Sequence, residues 1–143
     1  HQSVNAEVSV LGIGPRERLI ILAPHPDDET LSSAGLIQQV YAGAGSIRSV
    51  VVTSGDAYVD AVKLETGKKR LNKSDFLLFG EKRLHESRLA AALLGHGFLH
   101  LDLLGFSDGF IYPALVSQKM FYGFAPGKYS TYRGGAGTVA AQS

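Results

Sequence analysis

Six consecutive residues, Pro24-His25-Pro26-Asp27-Asp28-Glu29, bring together one imidazole and three carboxylates directly after an apolar run. Crowded carboxylates beside an apolar strand are costly to desolvate, and a bound metal ion is the usual compensation. His25 and Asp28 are three residues apart, and in a loop-to-helix turn both can face one point. An imidazole plus a carboxylate suits Zn²⁺ or another borderline divalent ion. Asp27 falls between them and points differently, which leaves it free to take a proton from a water held by the metal. The competing reading is a helix N-terminus with acidic residues placed for the dipole and a histidine that merely packs. That reading accounts for Asp27-Asp28-Glu29 taken alone, but poorly for the whole run at a strand end.

The elements that must position these residues follow from the apolar pattern. Arg18 to Ala23 (RLIILA) is short, continuous and rich in branched residues, the pattern of a strand buried on both faces in a parallel sheet. Pro24 and Pro26 stop it. Leu31, Ala34, Ile37, Val40 and Tyr41 predict a helix over 31–42, with Asp28 and Thr30 as caps and Gly43 and Gly45 at its end. Ser49 to Thr53 reads as a second buried strand closed by Ser54-Gly55-Asp56, which completes one right-handed crossover unit. In such sheets ligands bind outside the carboxyl ends of the strands, where His25 to Glu29 fall.

Residues 56–79 look less regular. Lys63, Lys68, Lys69, Arg70 and Lys73 there read as a solvated loop, or as a patch that greets an anionic substrate group. Glu81 to Leu94 is a second predicted helix closed by Gly95, and Phe98 to Leu103 a third strand. After Gly105 the periodicity dissolves into Tyr and Phe among Gly and Pro, ending in a loose tail.

Composition narrows the classes. The 143 residues are enough for one domain with a real core. Lys plus Arg number 14 against 13 Asp plus Glu, a net charge of +1, which argues against a nucleic-acid binder that works by bulk electrostatics. The absence of Cys excludes disulfide scaffolds, Cys-ligated zinc and thiol nucleophiles. No apolar run approaches the ~20 residues of a membrane span. The chain starts at His1 without Met, as expected of a trimmed or processed product, and its first ten residues lack the pattern of a signal peptide. Localisation, cytoplasmic or exported, stays open, as does oligomeric state.

The run ILAPHPDDETLSSAGLI resembles the signature of the PIG-L / LmbE-like family of zinc-dependent N-acetylglucosaminyl deacetylases. The resemblance implies an α/β, Rossmann-like three-layer fold with a mainly parallel sheet, and hydrolysis of an N-acyl group on a small-molecule amino sugar or its conjugate. It implies His25 and Asp28 as metal ligands and Asp27 as general base. Pro24 stands where the family often has Ala, a mild departure. VVVTSGD (Val50 to Asp56) looks like the family's second strand and loop. Arg83-x-x-Glu86, with Ala90, Ala91 and Leu94-Gly95, resembles its helix whose Arg reaches the substrate side of the pocket. Leu101 to Gly109 resembles its segment ending in Asp-Gly, which implies Asp108 as a second substrate-binding residue. The plainer alternatives are an i,i+3 surface pair for Arg83 and Glu86 and a turn aspartate for Asp108.

The family's third zinc ligand is a His in a later H-x-x-H-type motif, and no such motif follows residue 100. His96 and His100 have helical ligand spacing but sit among glycines and in a strand-like run; His85 reads as exposed. The expectation is therefore a single LmbE-like domain over 1–143, incomplete at its C-terminus. His25, Asp27 and Asp28 should cluster at the end of the first strand, and 111–143 should add no complete crossover unit. The alternatives are a non-catalytic Rossmann-like binding module, an inactive fragment with a degenerate metal site, or a carbohydrate-processing partner domain that uses the aromatic segment 121–132. Gly12-x-Gly14 precedes its strand, and Gly134-Gly135-x-Gly137 lacks the Lys of a phosphate loop, so neither competes.

Overall fold

A computed structural model describes residues 11–96, 99–106, 108–109, 111–112 and 116 of the chain. The element order is β1 (Arg18–Ala23), α1 (Asp28–Ala42), β2 (Ser46–Thr53), α2 (Val59–Thr66), α3 (Lys73–Leu94) and β3 (His100–Phe106). The strands form one parallel sheet in the order β1-β2-β3. This is the α/β class with a parallel sheet that the sequence leads one to expect. Registers run from Arg18↔Ser46 to Ala23↔Val51 and from Arg48↔His100 to Val51↔Leu103. An irregularity between Val51 and Thr53 then pairs Thr53 with Phe106.

Side chains alternate across a strand, so one set of odd-numbered residues faces the helices. Ile21, Ala23, Ile47, Val51 and Thr53 are buried on that face. Ile21 and Ile47 pack with Ile37 and Val40 of α1; Ala23 and Val51 pack with Leu84 of α3. The opposite face differs from expectation. Ile20 and Leu22 are 72% and 69% exposed, so among the described residues β1 is covered on one face and not on both.

The helices also differ from the predicted spans. α1 begins at Asp28, three residues early, because the chain turns sharply at Asp27 and enters the helix at once. The stretch expected to be irregular holds α2, which ends on Gly67 at φ 68, and the first two turns of α3. Asn72 starts α3 with a reciprocal capping box: its side chain accepts from the Asp75 amide, and the Asp75 side chain accepts from the Asn72 amide. Lys68 is no free loop cation, since its Nζ lies 2.6 Å from Oδ1 of the buried Asp75.

β2 starts three residues early and β3 runs on to Phe106. His85 is exposed on α3, His96 lies in a turn at φ 47, and His100 opens β3, so the last two share no helical face. Readings that concern 111–143, including the aromatic segment 121–132, lie outside the described residues apart from Ile111, Tyr112 and Val116.

Candidate active site

The carboxyl end of β1 is fixed before any chemistry is placed on it. Thr53, at the end of β2, donates to the Pro24 carbonyl through its amide (3.0 Å) and its hydroxyl (2.8 Å). Pro26 is fully buried. Asp27 follows at φ 97, a left-handed conformation that disfavours a residue with a Cβ. Glu29 helps to hold it there. This carboxyl is 1% exposed, and its Oε2 accepts the Asp27 amide at 3.1 Å.

Arg83 reaches the same turn from α3. One terminal nitrogen donates to the Gly55 carbonyl at 3.0 Å; the other donates to the Pro26 carbonyl at 2.6 Å and to Asp27 Oδ2 at 3.1 Å. Gly55 sits at φ 61, and a Cβ there would collide with the guanidinium, so the glycine is what lets Arg83 through. Arg83 is therefore turned into the loop and not toward Glu86, which is exposed. A half-open cleft of about 150 Å³ runs between α1 and α3, with Asp27, Glu29, Arg83 and Ser87 on its walls.

His25 lies between two carboxylates. Its Nδ1 is 3.3 Å from Asp28 Oδ2, which also accepts the His25 amide at 2.9 Å. Its Nε2 is 3.1 Å from Asp108 Oδ1. Every site residue expected from sequence thus comes to one place: His25, Asp27 and Asp28 at the end of β1, Arg83 from α3, and Asp108 from the turn after β3.

The model of the family described as GlcNAc-PI de-N-acetylase (PIG-L) matches residues 20–122. The chain belongs to the PIG-L family. No curated protein matches it. Among solved structures, a conserved protein of Thermus thermophilus is similar at 30% identity and a TM-score of 0.40, over 63% of this chain. The match spans 32% of that protein's length, so this chain corresponds to about a third of it.

PIG-L deacetylases are typically zinc-dependent, and the donor set can be tested against that. Two ligands of one tetrahedral Zn²⁺, each at about 2.0–2.1 Å, stand about 3.3 Å apart. The His25 Nδ1 to Asp28 Oδ2 separation of 3.3 Å fits that edge. Among the described residues no group of three such side chains is placed to hold a metal ion, so the fit extends to two donors.

Sequence reasoning misses the part that two residues play at this site. Glu29 counts among the crowded carboxylates, yet nothing in the local pattern shows its burial or its bond to the Asp27 amide. Asp56, at the mouth of β2, is 5% exposed, and burial pushes its carboxyl up to about 6. The signal for Asp56 is its place after a parallel strand, where such sheets collect functional groups.

Proposed function

We propose that this chain carries the first part of a zinc-dependent site that removes an N-acetyl or other N-acyl group from an amino sugar or its conjugate. The amino-sugar class rests on the description of the matching family. The observation that carries the reading is the 3.3 Å approach of His25 Nδ1 to Asp28 Oδ2, with Asp27 directed to Arg83 instead. His25 and Asp28 would hold the ion, which when bound polarises the acyl carbonyl and acidifies water. Arg83 occupies Asp27 Oδ2, and Oδ1 is left to take the proton of the attacking water and return it to the leaving amine. Arg83 borders the cleft beside Asp27 where the sugar would lie, and the resemblance assigns Asp108 to the substrate as well.

The test is zinc stoichiometry beside acetate release from N-acetylglucosaminyl conjugates. Asp27→Asn is expected to keep its zinc and lose roughly 10²–10⁴ in turnover, whereas His25→Ala loses the metal. Unchanged zinc content in both His25→Ala and Asp28→Ala would sink the reading. One observation favours a second one, a non-catalytic binding module: only two donors converge among the described residues. Sugar binding without acetate release from zinc-loaded protein would support that module.

A further inference from the structure

We infer that Asp108 is a positioning residue that locks His25 in the tautomer protonated on Nε2, leaving the Nδ1 lone pair beside Asp28. The inference rests on the reading of His25 as a metal ligand, and it assigns Asp108 a task beyond contact with substrate.

A neutral imidazole has one ring proton to give. The two carboxylates compete for it unequally. Asp108 Oδ1 stands at 3.1 Å from Nε2 in hydrogen-bonding geometry. Asp28 Oδ2 is farther from Nδ1, at 3.3 Å, makes only a charge contact with it, and already accepts the backbone amide of His25. The proton therefore belongs on Nε2. A ligating nitrogen must be unprotonated, and the partner of the other nitrogen sets which one is.

Asp108 sits in the turn after β3, where Gly109 follows at φ 76. Its side chain is 21% exposed against 44% for His25, so Asp108 is the more sheltered partner of the pair. The loss of such a partner typically costs 10–100-fold in metal affinity.

The deciding experiment is ¹⁵N NMR of the metal-free chain labelled on histidine, followed over a range of pH to the plateau at high pH, where the ring nitrogen shifts report the tautomer. His25 is assigned by the loss of its signals in His25→Ala. The expected wild-type spectrum has the proton on Nε2. Asp108→Asn, whose amide oxygen still accepts, is expected to keep that tautomer, and Asp108→Ala to mix the two. Zinc affinity is expected to fall by roughly 10–100-fold in Asp108→Ala and by less in Asp108→Asn. A wild-type proton on Nδ1, or an Asp108→Ala spectrum identical to wild type, overturns the inference. Should Asp108→Ala not fold, the wild-type tautomer and the Asp108→Asn spectrum decide it. Zinc binding that survives His25→Ala refutes the proposed function instead, because the tautomer is measured without metal.

Discussion

Asp27 shows how a single residue is set against its own preference. Its φ of 97 costs an ordinary residue roughly 1–2 kcal/mol. The Glu29 carboxylate on its amide and the Arg83 guanidinium on its side chain hold it there. Glycine destabilises a helix interior relative to alanine, but at this N-cap, with its positive φ, the order is the reverse. Asp27→Gly is expected to be more stable than Asp27→Ala by about 1 kcal/mol, with both inactive. Denaturant midpoints of the two variants check this, and an alanine variant as stable as the glycine one would mean that the turn relaxes. Arg83 supports a companion expectation. Lys cannot reproduce a fork that spans the Pro26 and Gly55 carbonyls together with Asp27. Arg83→Lys should therefore lower turnover while leaving zinc content unchanged, and wild-type turnover would remove Arg83 from the positioning of Asp27.

At the scale of elements, α3 carries Arg83 to the site, and its strength can be divided into cap and core. Loss of the Asn72 cap in Asn72→Ala should cost about 1 kcal/mol. Leu84 is fully buried against Ala23 and Val51, so Leu84→Ala should cost about 2–5 kcal/mol. Leu93 is 78% exposed on the same helix, and Leu93→Ala should change stability by less than about 0.5 kcal/mol. Equal effects at 84 and 93 would mean that the helix packs by another face.

The same helix shows what is legible in the sequence. β1 can be read residue for residue, because a continuous branched run bounded by prolines has few alternatives. α3 is legible only from Glu81 onward, because the residues before it show no clean helical pattern. In the structure Gly80 is a contact point: a Cβ there would stand 3.2 Å from the Asp56 Cβ and 3.4 Å from that of Ser54. Close approach of helix to strand end requires glycine, and local pattern alone does not separate that use from a stop. The Asn72-x-x-Asp75 box is the available signal for the true start. The site is legible at His25, Asp27 and Asp28, which lie close together in sequence. The convergence of Arg83 and Asp108 on them is set by chain crossings that only the resemblance anticipates.

At the scale of the whole molecule, the three strand ends deliver carboxylates to one rim, and Asp56 is taken out of water there, as Glu29 is. Asp56 is 5% exposed, and its carboxyl is raised from an ordinary 3.8 to about 6, chiefly by burial. Between about pH 4 and 6 the folded chain therefore binds more protons at Asp56 than the unfolded chain does. Stability falls as pH rises wherever the native state holds the extra proton. The Asp56 contribution is thus most favourable below about pH 4, declines through the window, and settles at its least favourable level above about pH 6. A rise of about two units corresponds to roughly 3 kcal/mol. Asp56→Asn has no charge to bury, so its stability should lack this decline. Urea unfolding of both proteins at several pH values from 4 to 7.5 tests it, with their difference expected to shift toward the variant by up to about 3 kcal/mol across that range. Parallel curves would show that Asp56 titrates alike in the folded and unfolded chain.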